Sequence, residues 1–128
     1  MYVADTHGFV WYLSNDERLG SKAKEIFESC DKGETIIIVP AIVLMESLVI
    51  CEEKRVELEF AKVLEKLETS FNYVVYPLDN DVILECANIK RLKDAHDRII
   101  IATGRLVNAK VITKDEDIVD SELIETVW

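Results

Sequence analysis

The sequence lacks any apolar run long enough to cross a membrane. None approaches the roughly 20 residues that a spanning helix needs, and the start, Met1 to Asp5, has neither a basic segment nor a long apolar one. The three cysteines, Cys30, Cys51 and Cys86, lie far apart and form no Cys-x-x-Cys pair. An odd number of separated cysteines favours reduced thiols. We therefore expect a cytoplasmic protein with no membrane span.

Histidine and cysteine are too scattered to supply a structural zinc site, which needs a clustered set of such ligands. The sequence also contains no internal repeat, no linker and no low-complexity segment. Its 128 residues, of which 49% are hydrophobic, are enough to bury one core. We predict a single domain over residues 1–128.

Basic residues are outnumbered, and the formal net charge of −10 argues against a protein that coats nucleic acid in general. The charge is unevenly spread, however. Residues 90–114 contain seven basic residues and only two acidic ones, which leaves this stretch at +5 and the remainder at −15. A local basic surface of this kind can contact a phosphate backbone. From charge alone, a solvated helix face is the favoured alternative.

Short apolar segments alternate with segments of helical character. The run Thr35–Val39 is apolar without alternation, which is typical of a strand in a parallel sheet that is covered on both faces. The predicted strands are Met1–Ala4, Thr35–Val39, Tyr73–Tyr76, Lys110–Thr113 and Ile124–Val127. The predicted helices are Phe9–Leu13, a helix capped by Ser21 that ends near Asp31, Pro40–Lys54, Glu57–Thr69, Asp79–Leu92, and a helix capped by Asp94 that carries Ile99–Val107. Residues 114–117 are predicted to form a turn. The alternation indicates an α/β fold with a central, mostly parallel sheet flanked by helices.

Several acidic residues fall where such a sheet places its ligands, which is at the carboxyl ends of its strands. Asp5 directly follows the first predicted strand, and Asp115 follows the fourth by two residues. Asp97 lies in the first turn of a helix, where the helix dipole favours an anion. We expect these side chains to meet at one edge of the sheet.

Glu46 is unusual because of its surroundings. Between Pro40 and Ile50, only Glu46 and Ser47 are polar. A helix that is this apolar is expected to be buried nearly all round. A carboxylate in such a helix needs a compensating partner, such as a cation or a metal ion.

Each of these residues also has a plain structural role open to it. Asp5 can cap the following helix, and for Asp94 the cap is the favoured interpretation. Asp97 can be the capping-box partner of Asp94, while Asp115 and Asp117 lie in a charged turn where carboxylates are common. The two histidines, His7 and His96, stand near helix starts and can be structural residues or substrate contacts.

Taken together, four segments resemble the PIN domain family, and more narrowly the VapC-type toxins of toxin–antitoxin pairs. They are Asp5-Thr6-His7 at the end of the first strand, Glu46 in an apolar helix, His96-Asp97-Arg98 before an Ile-Ile-Ile-Ala-Thr run, and Ile112-Thr113-Lys114-Asp115. The order and spacing of the acids make the resemblance specific, and it covers almost the whole chain. It implies a three-layer PIN-like fold around a central, mostly parallel sheet.

The resemblance also implies a metal-dependent ribonuclease. Asp5, Glu46, Asp97 and Asp115 would form the acidic metal site, because clustered carboxylates suit Mg²⁺ or Mn²⁺, and a metal-activated water would hydrolyse an RNA phosphodiester. Thr113 would be the polar residue beside the last acid, and Asp117 an accessory acid. Arg98 would contact phosphate, whereas Thr6, His7 and His96 would assist positioning. The expected partners are RNA, a small antitoxin and a second copy of the chain, with the helix pair between Pro40 and Phe71 offering an apolar surface.

Other functions remain open at this point. The chain can be a PIN nuclease of RNA processing outside a toxin pair, or a PIN-like binding module that does not catalyse. A response-regulator-like signalling domain also clusters acids at strand ends, but it needs a phosphoacceptor after a central strand. The strand Tyr73–Tyr76 is instead followed by Pro77 and Leu78, which disfavours that class.

Overall fold

A computed structural model describes residues 1–128. Five strands form one sheet in the order β3-β2-β1-β4-β5, and every neighbouring pair is parallel. The strands are β1 (Tyr2–Ala4), β2 (Ile37–Pro40), β3 (Tyr73–Tyr76), β4 (Lys110–Ile112) and β5 (Thr126–Val127). The predicted α/β fold with a central parallel sheet is confirmed, and the sheet contains no antiparallel strand.

Seven helices connect and cover the strands. They are α1 (Thr6–Leu13), α2 (Ser21–Asp31), α3 (Ala41–Glu52), α4 (Phe60–Thr69), α5 (Asn80–Ala87), α6 (Ala95–Leu106) and α7 (Glu116–Ser121). Helix α1 contacts α2 and α3, α3 contacts α4, and α6 contacts α5 and α7. None of the helices combines the length and hydropathy that crossing a membrane requires.

The strand order reverses at β1. The chain first moves from β1 outwards through β2 to β3, and it then crosses back to add β4 on the other side of β1. Because parallel crossovers are right-handed, this reversal places the first helices and the later helices on opposite faces of the sheet. The loops that leave β1 and β4 therefore diverge, and a crevice opens at the carboxyl ends of these strands.

The core lies on both faces of the central strands. Phe9 of α1, Phe27 of α2 and Ile101 of α6 are all fully buried. Gly104 lets α6 approach β4 closely, since a Cβ added there would lie 3.2 Å from the Ala109 carbonyl and from Val111 Cγ2. Helix α6 is consequently fixed against the sheet, and its first turn is held beside the crevice.

Three helices begin at a residue other than the predicted one for an identifiable local reason. Helix α1 begins at Thr6 rather than Phe9, because the Asp5 side chain caps it. Ser21 lies inside α2, and the capping position is Gly20, which makes no side-chain bond to the helix. Pro40 ends β2 with an extended backbone (ψ 142°) and precedes the first turn of α3.

Other boundaries moved as well. Helix α4 begins at Phe60 instead of Glu57, and α5 ends at Ala87 instead of Leu92. Ile89 and Leu92 are nevertheless buried, so the apolar spacing reflected packing of the connecting segment rather than a longer helix. Residues 116–121, predicted to begin in a turn, form α7.

Away from the crevice, Asp31 joins three elements at the end of α2. It accepts hydrogen bonds from Tyr12 and from Tyr73, the latter at 3.1 Å, and it pairs with Lys66 of α4. Burial raises the pKa of Asp31, but the hydrogen bonds from Lys66 and Tyr12 outweigh this effect, so the pKa lies below its ordinary value. The charged form of Asp31 therefore stabilises the fold at neutral pH, and this contribution is lost as the pH falls through the lowered pKa.

We expect Asp31→Asn to lower the free energy of unfolding at pH 7 by about 1–2 kcal/mol. The asparagine removes charge-assisted bonds to Tyr12, Tyr73 and Lys66, and the remaining exposure of Asp31 moderates the loss. Urea unfolding monitored by circular dichroism measures the change. Glu34→Gln is the control: Glu34 is an exposed carboxylate three residues beyond α2, and its substitution should leave stability unchanged. Equal stability of both variants would contradict a stabilising role for Asp31.

Candidate metal centre

The crevice at the carboxyl ends of β1 and β4 is a groove of about 460 Å³. Its lining includes all four carboxylates that the sequence predicted as metal ligands, together with two further acids. These six residues are Asp5, Glu46, Asp94, Asp97, Asp115 and Asp117. The structure therefore brings side chains from four separate parts of the chain to one place.

Asp5 is both a helix cap and a wall of the groove. It follows β1 directly, and its Oδ1 accepts a hydrogen bond of 2.7 Å from the Gly8 amide. Only 6% of the residue is exposed. Burial raises the pKa of Asp5 to about 6, and the charges of Asp115 and Glu46 add to the rise, while bonds from the Thr113 hydroxyl and the Gly8 amide oppose it. Capping and lining the groove are thus compatible roles for this carboxylate.

The tightest acidic cluster contains Asp97, Asp115 and Asp117. One carboxylate oxygen from each lies within 4.8 Å of those of the other two. The pKa of Asp97 is raised to about 7, first by burial and then by repulsion from Asp115 and from the other neighbouring carboxylates. These groups hold a concentrated negative charge for which a cation is the natural partner.

Helix α7 explains why Asp117 belongs to this cluster. Asp115 Oδ1 accepts hydrogen bonds from the amides of Asp117 at 2.9 Å and of Ile118 at 3.2 Å, and so it starts the helix. The Thr113 hydroxyl oxygen in turn accepts a hydrogen bond of 3.0 Å from the Asp115 amide. Thr113 is 1% exposed, so it orders the turn from inside the protein.

Glu46 is held by two neighbours across the groove. The Thr6 hydroxyl donates to Glu46 Oε1 at 2.7 Å, and His96 Nδ1 lies 3.0 Å from Glu46 Oε2. The expectation that α3 is buried nearly all round was wrong, because Met45 is 54% exposed and Val49 is 36% exposed. Their side chains border the open groove instead of a neighbouring helix, and the Glu46 side chain retains 29% exposure.

Asp94 caps α6, as predicted. Its Oδ1 accepts a hydrogen bond of 3.0 Å from the Asp97 amide. Asp94 also lines the groove and contributes to the raised pKa of Asp97. The Asp97 side chain lies among the carboxylates, beside Asp115, rather than completing a capping box with Asp94.

The sequence profile described as the PIN domain matches residues 2–121 of the chain. The chain belongs to the PIN domain family. No sequence among curated proteins matches it. Solved structures with the same fold share little sequence with this PIN domain, so their likeness concerns the fold alone.

Three such structures illustrate the likeness. VapC20 from Mycobacterium tuberculosis, described as a sarcin-ricin loop cleaving toxin, has a TM-score of 0.74 at 14% identity, over 98% of each chain. FitAcB from Neisseria gonorrhoeae has a TM-score of 0.70 at 17% identity, over 100% of this chain and 97% of that one. A toxin-antitoxin complex from Klebsiella pneumoniae has a TM-score of 0.69 at 17% identity, with the same coverage.

In this PIN domain, the basic stretch of residues 90–114 does not form one surface. Arg98 does not line the groove, and its Nε donates to the Leu92 carbonyl. Arg105 pairs with Glu85 at 3.1 Å, and Lys110 pairs with Glu125 at 3.3 Å. The predicted phosphate contact by Arg98 therefore has no support in the geometry.

Other cations do lie around the groove of the PIN domain: Arg91 and Lys93 belong to the basic stretch, whereas Arg55 was not predicted from the sequence. Arg55 lines the groove. The pKa of His7 is lowered chiefly by burial, and the nearby charge of Arg55 lowers it further. Arg91 and Lys93 border Asp94, Asp97 and Asp117 on the other side. No signal in the sequence singles out Arg55, because its position depends on the turn that ends α3.

Proposed function

We propose that this PIN domain is a metal-dependent endoribonuclease that hydrolyses phosphodiester bonds in RNA, and that it is the toxin of a type II toxin–antitoxin pair. One observation carries the proposal: five carboxylates, those of Asp5, Glu46, Asp97, Asp115 and Asp117, converge on one groove at the strand-order reversal. Concentrating so much negative charge is unfavourable unless a cation joins it.

The donor set fits a hard divalent cation such as Mg²⁺ or Mn²⁺. Every acidic side chain in the cluster offers oxygen, which these ions prefer, and no cysteine lines the groove. Asp97, Asp115 and Asp117 would hold the ion, with Asp5 and Glu46 as further acidic neighbours. A bound divalent ion supplies Lewis acidity, which activates water and stabilises negative charge on phosphate.

The protein's own groups orient this site. Thr6 and His96 hold the two oxygens of Glu46, so this carboxylate has a fixed direction at the groove wall. Because His96 Nδ1 is engaged with Glu46, Nε2 is the ring nitrogen available to a substrate phosphate or hydroxyl. Thr113 fixes the turn that carries Asp115. These three residues are proposed as positioning groups.

Cations on two sides of the groove would attract the RNA backbone. Arg91 and Lys93 flank the acidic cluster on one side, and Arg55 lines the groove near His7. Lys114 lies over the ring of Trp11, 4.8 Å from its centroid, next to Asp115 in the chain. A strand that crosses the acidic cluster would therefore meet positive charge before and after the reactive phosphate.

The structures with the same fold support the assignment to a toxin pair. One is described as a toxin-antitoxin complex, and another as a toxin that cleaves the sarcin-ricin loop. We accordingly propose a small antitoxin and a second copy of the chain as partners in the cytoplasm. Exposed apolar residues between α3 and β3, including Leu64 at 44% and Phe71 at 97%, offer surface for such contacts.

Cleavage of RNA by the purified protein tests this proposal. We expect a labelled single-stranded RNA to be cut internally with Mg²⁺ or Mn²⁺, and cleavage to stop on addition of EDTA and resume when the ion is restored. A chain that binds RNA but does not cut it with either ion would be a binding module instead. The protein encoded by a neighbouring short reading frame should suppress cleavage if this chain is a toxin. Cleavage that this protein does not suppress would indicate a PIN nuclease of RNA processing instead.

A further inference from the structure

An apolar stripe on α3 forms one wall of the acidic groove. Ile42, Met45 and Val49 are spaced so that they share one face of the helix, and all three line the groove. Met45 is 54% exposed and Val49 is 36% exposed, although both stand beside carboxylates. Glu46 lies on the same side of the helix and is the point where the stripe meets the acidic cluster.

The stripe ends near a cation. Arg55 lines the groove beyond the end of α3, and its Nε lies 2.8 Å from Glu53 Oε2. Its side chain is 55% exposed, which leaves it accessible to a ligand. The groove thus presents a carboxylate cluster, then a neutral apolar surface, and then a guanidinium group.

This order matches the parts of a nucleotide strand. A phosphate bound at the acidic cluster through a cation is joined on each side to a nucleoside. The base of that nucleoside is uncharged, and its aromatic faces are suited to apolar contact. The next phosphate along the strand carries negative charge, which Arg55 can attract.

We infer that Met45 and Val49 hold one unpaired base of the RNA next to the phosphate that is cleaved, and thereby select the substrate. The inference rests on the proposed ribonuclease function and adds the residues that determine its specificity. A base in a duplex is stacked and paired, so it can reach α3 only after it is extruded.

Cleavage of a single-stranded RNA pool of random sequence, followed by sequencing of the new ends, tests this role. We expect the wild-type protein to show a base preference at one position beside the cut. Met45→Gln and Val49→Asn should each weaken that preference about fivefold and raise KM about fivefold, with kcat unchanged, because they remove an apolar contact made equally in the ground and transition states. Leu84→Gln is the matched control, since Leu84 is 66% exposed on α5 and does not line the groove.

The possible results separate this inference from the function on which it rests. Cleavage with an unchanged base preference in both α3 variants would overturn the inference and leave the ribonuclease standing. The same holds if the variants alter only self-association or inhibition by a protein partner, because the stripe would then be a protein-binding surface. Absence of cleavage by the wild-type protein with either ion would overturn both.

Discussion

Asp97→Asn should reduce metal-dependent RNA cleavage by at least about 100-fold, since even residues that only support metal ligands change activity by about 10–100-fold. Asp97 belongs to the tightest acidic cluster, and it caps no helix with its side chain. Asparagine preserves its shape but removes the charge that a divalent cation needs. Initial rates of cleavage of labelled RNA at saturating Mg²⁺ or Mn²⁺ measure the effect.

Asp120→Asn is the control for this substitution. Asp120 is an exposed carboxylate of α7 that does not line the groove, so its loss changes the net charge equally without altering the cluster. Circular dichroism should show both variants folded. Undiminished cleavage by Asp97→Asn would exclude Asp97 as a metal ligand, and loss of the fold would mean that Asp97 has a structural role.

Without divalent cations, the free energy of unfolding should fall as the pH rises from 5 to 8. The pKa of Asp5 is raised from 3.8 to about 6 and that of Asp97 from 3.8 to about 7. Both groups bind protons more tightly in the folded chain, so their stabilising effect is full below pH 3.8 and is lost as the pH rises through the folded values. Asp31 has the opposite shift but acts at lower pH, and the lowered pKa of His7 opposes the fall only below the ordinary value of 6.5.

Urea unfolding in EDTA at several pH values measures this dependence. Asp97→Asn should flatten it and raise stability at pH 8 by about 1 kcal/mol or more, because one pKa unit corresponds to about 1.4 kcal/mol. Mg²⁺ or Mn²⁺ at 100 times its dissociation constant should stabilise the wild-type protein at pH 8 by about 3 kcal/mol. Stability that is constant between pH 5 and 8 without metal would contradict the repulsion inferred for these acids.

Much of the fold was predictable because its signals are local. The apolar run Thr35–Val39 lacked alternation, and the structure places Ile37–Pro40 inside a wholly parallel sheet. Helix α6 was recognised from Asp94 and the apolar residues that follow, and it has the predicted cap. Helix α7 was missed because its six residues include four acidic or hydroxyl side chains and only Ile118 is buried. Its one local signal is the capping carboxylate of Asp115.

The groove was predictable only in part, since side-chain direction depends on distant packing. Glu46 was singled out because its helix looked too apolar for a carboxylate, but the reason was wrong: the apolar residues Met45 and Val49 border an open groove. Arg98 follows Asp97 in the chain, yet its guanidinium bonds to the Leu92 carbonyl. Arg55 enters the groove from the turn after α3, and no neighbouring residue in the sequence predicts the direction of that turn.

The double engagement of Asp5 and Asp115 ties the chemistry of the groove to local unfolding. Each carboxylate starts a short helix, α1 or α7, through bonds to that helix's first amides. Short helices at the surface open more readily than the core beneath them. Each time α7 frays, Asp115 and Asp117 lose their mutual placement while the sheet stays intact. We therefore expect the lifetime of the assembled carboxylate cluster to depend on the six residues of α7 rather than on the global stability of the protein.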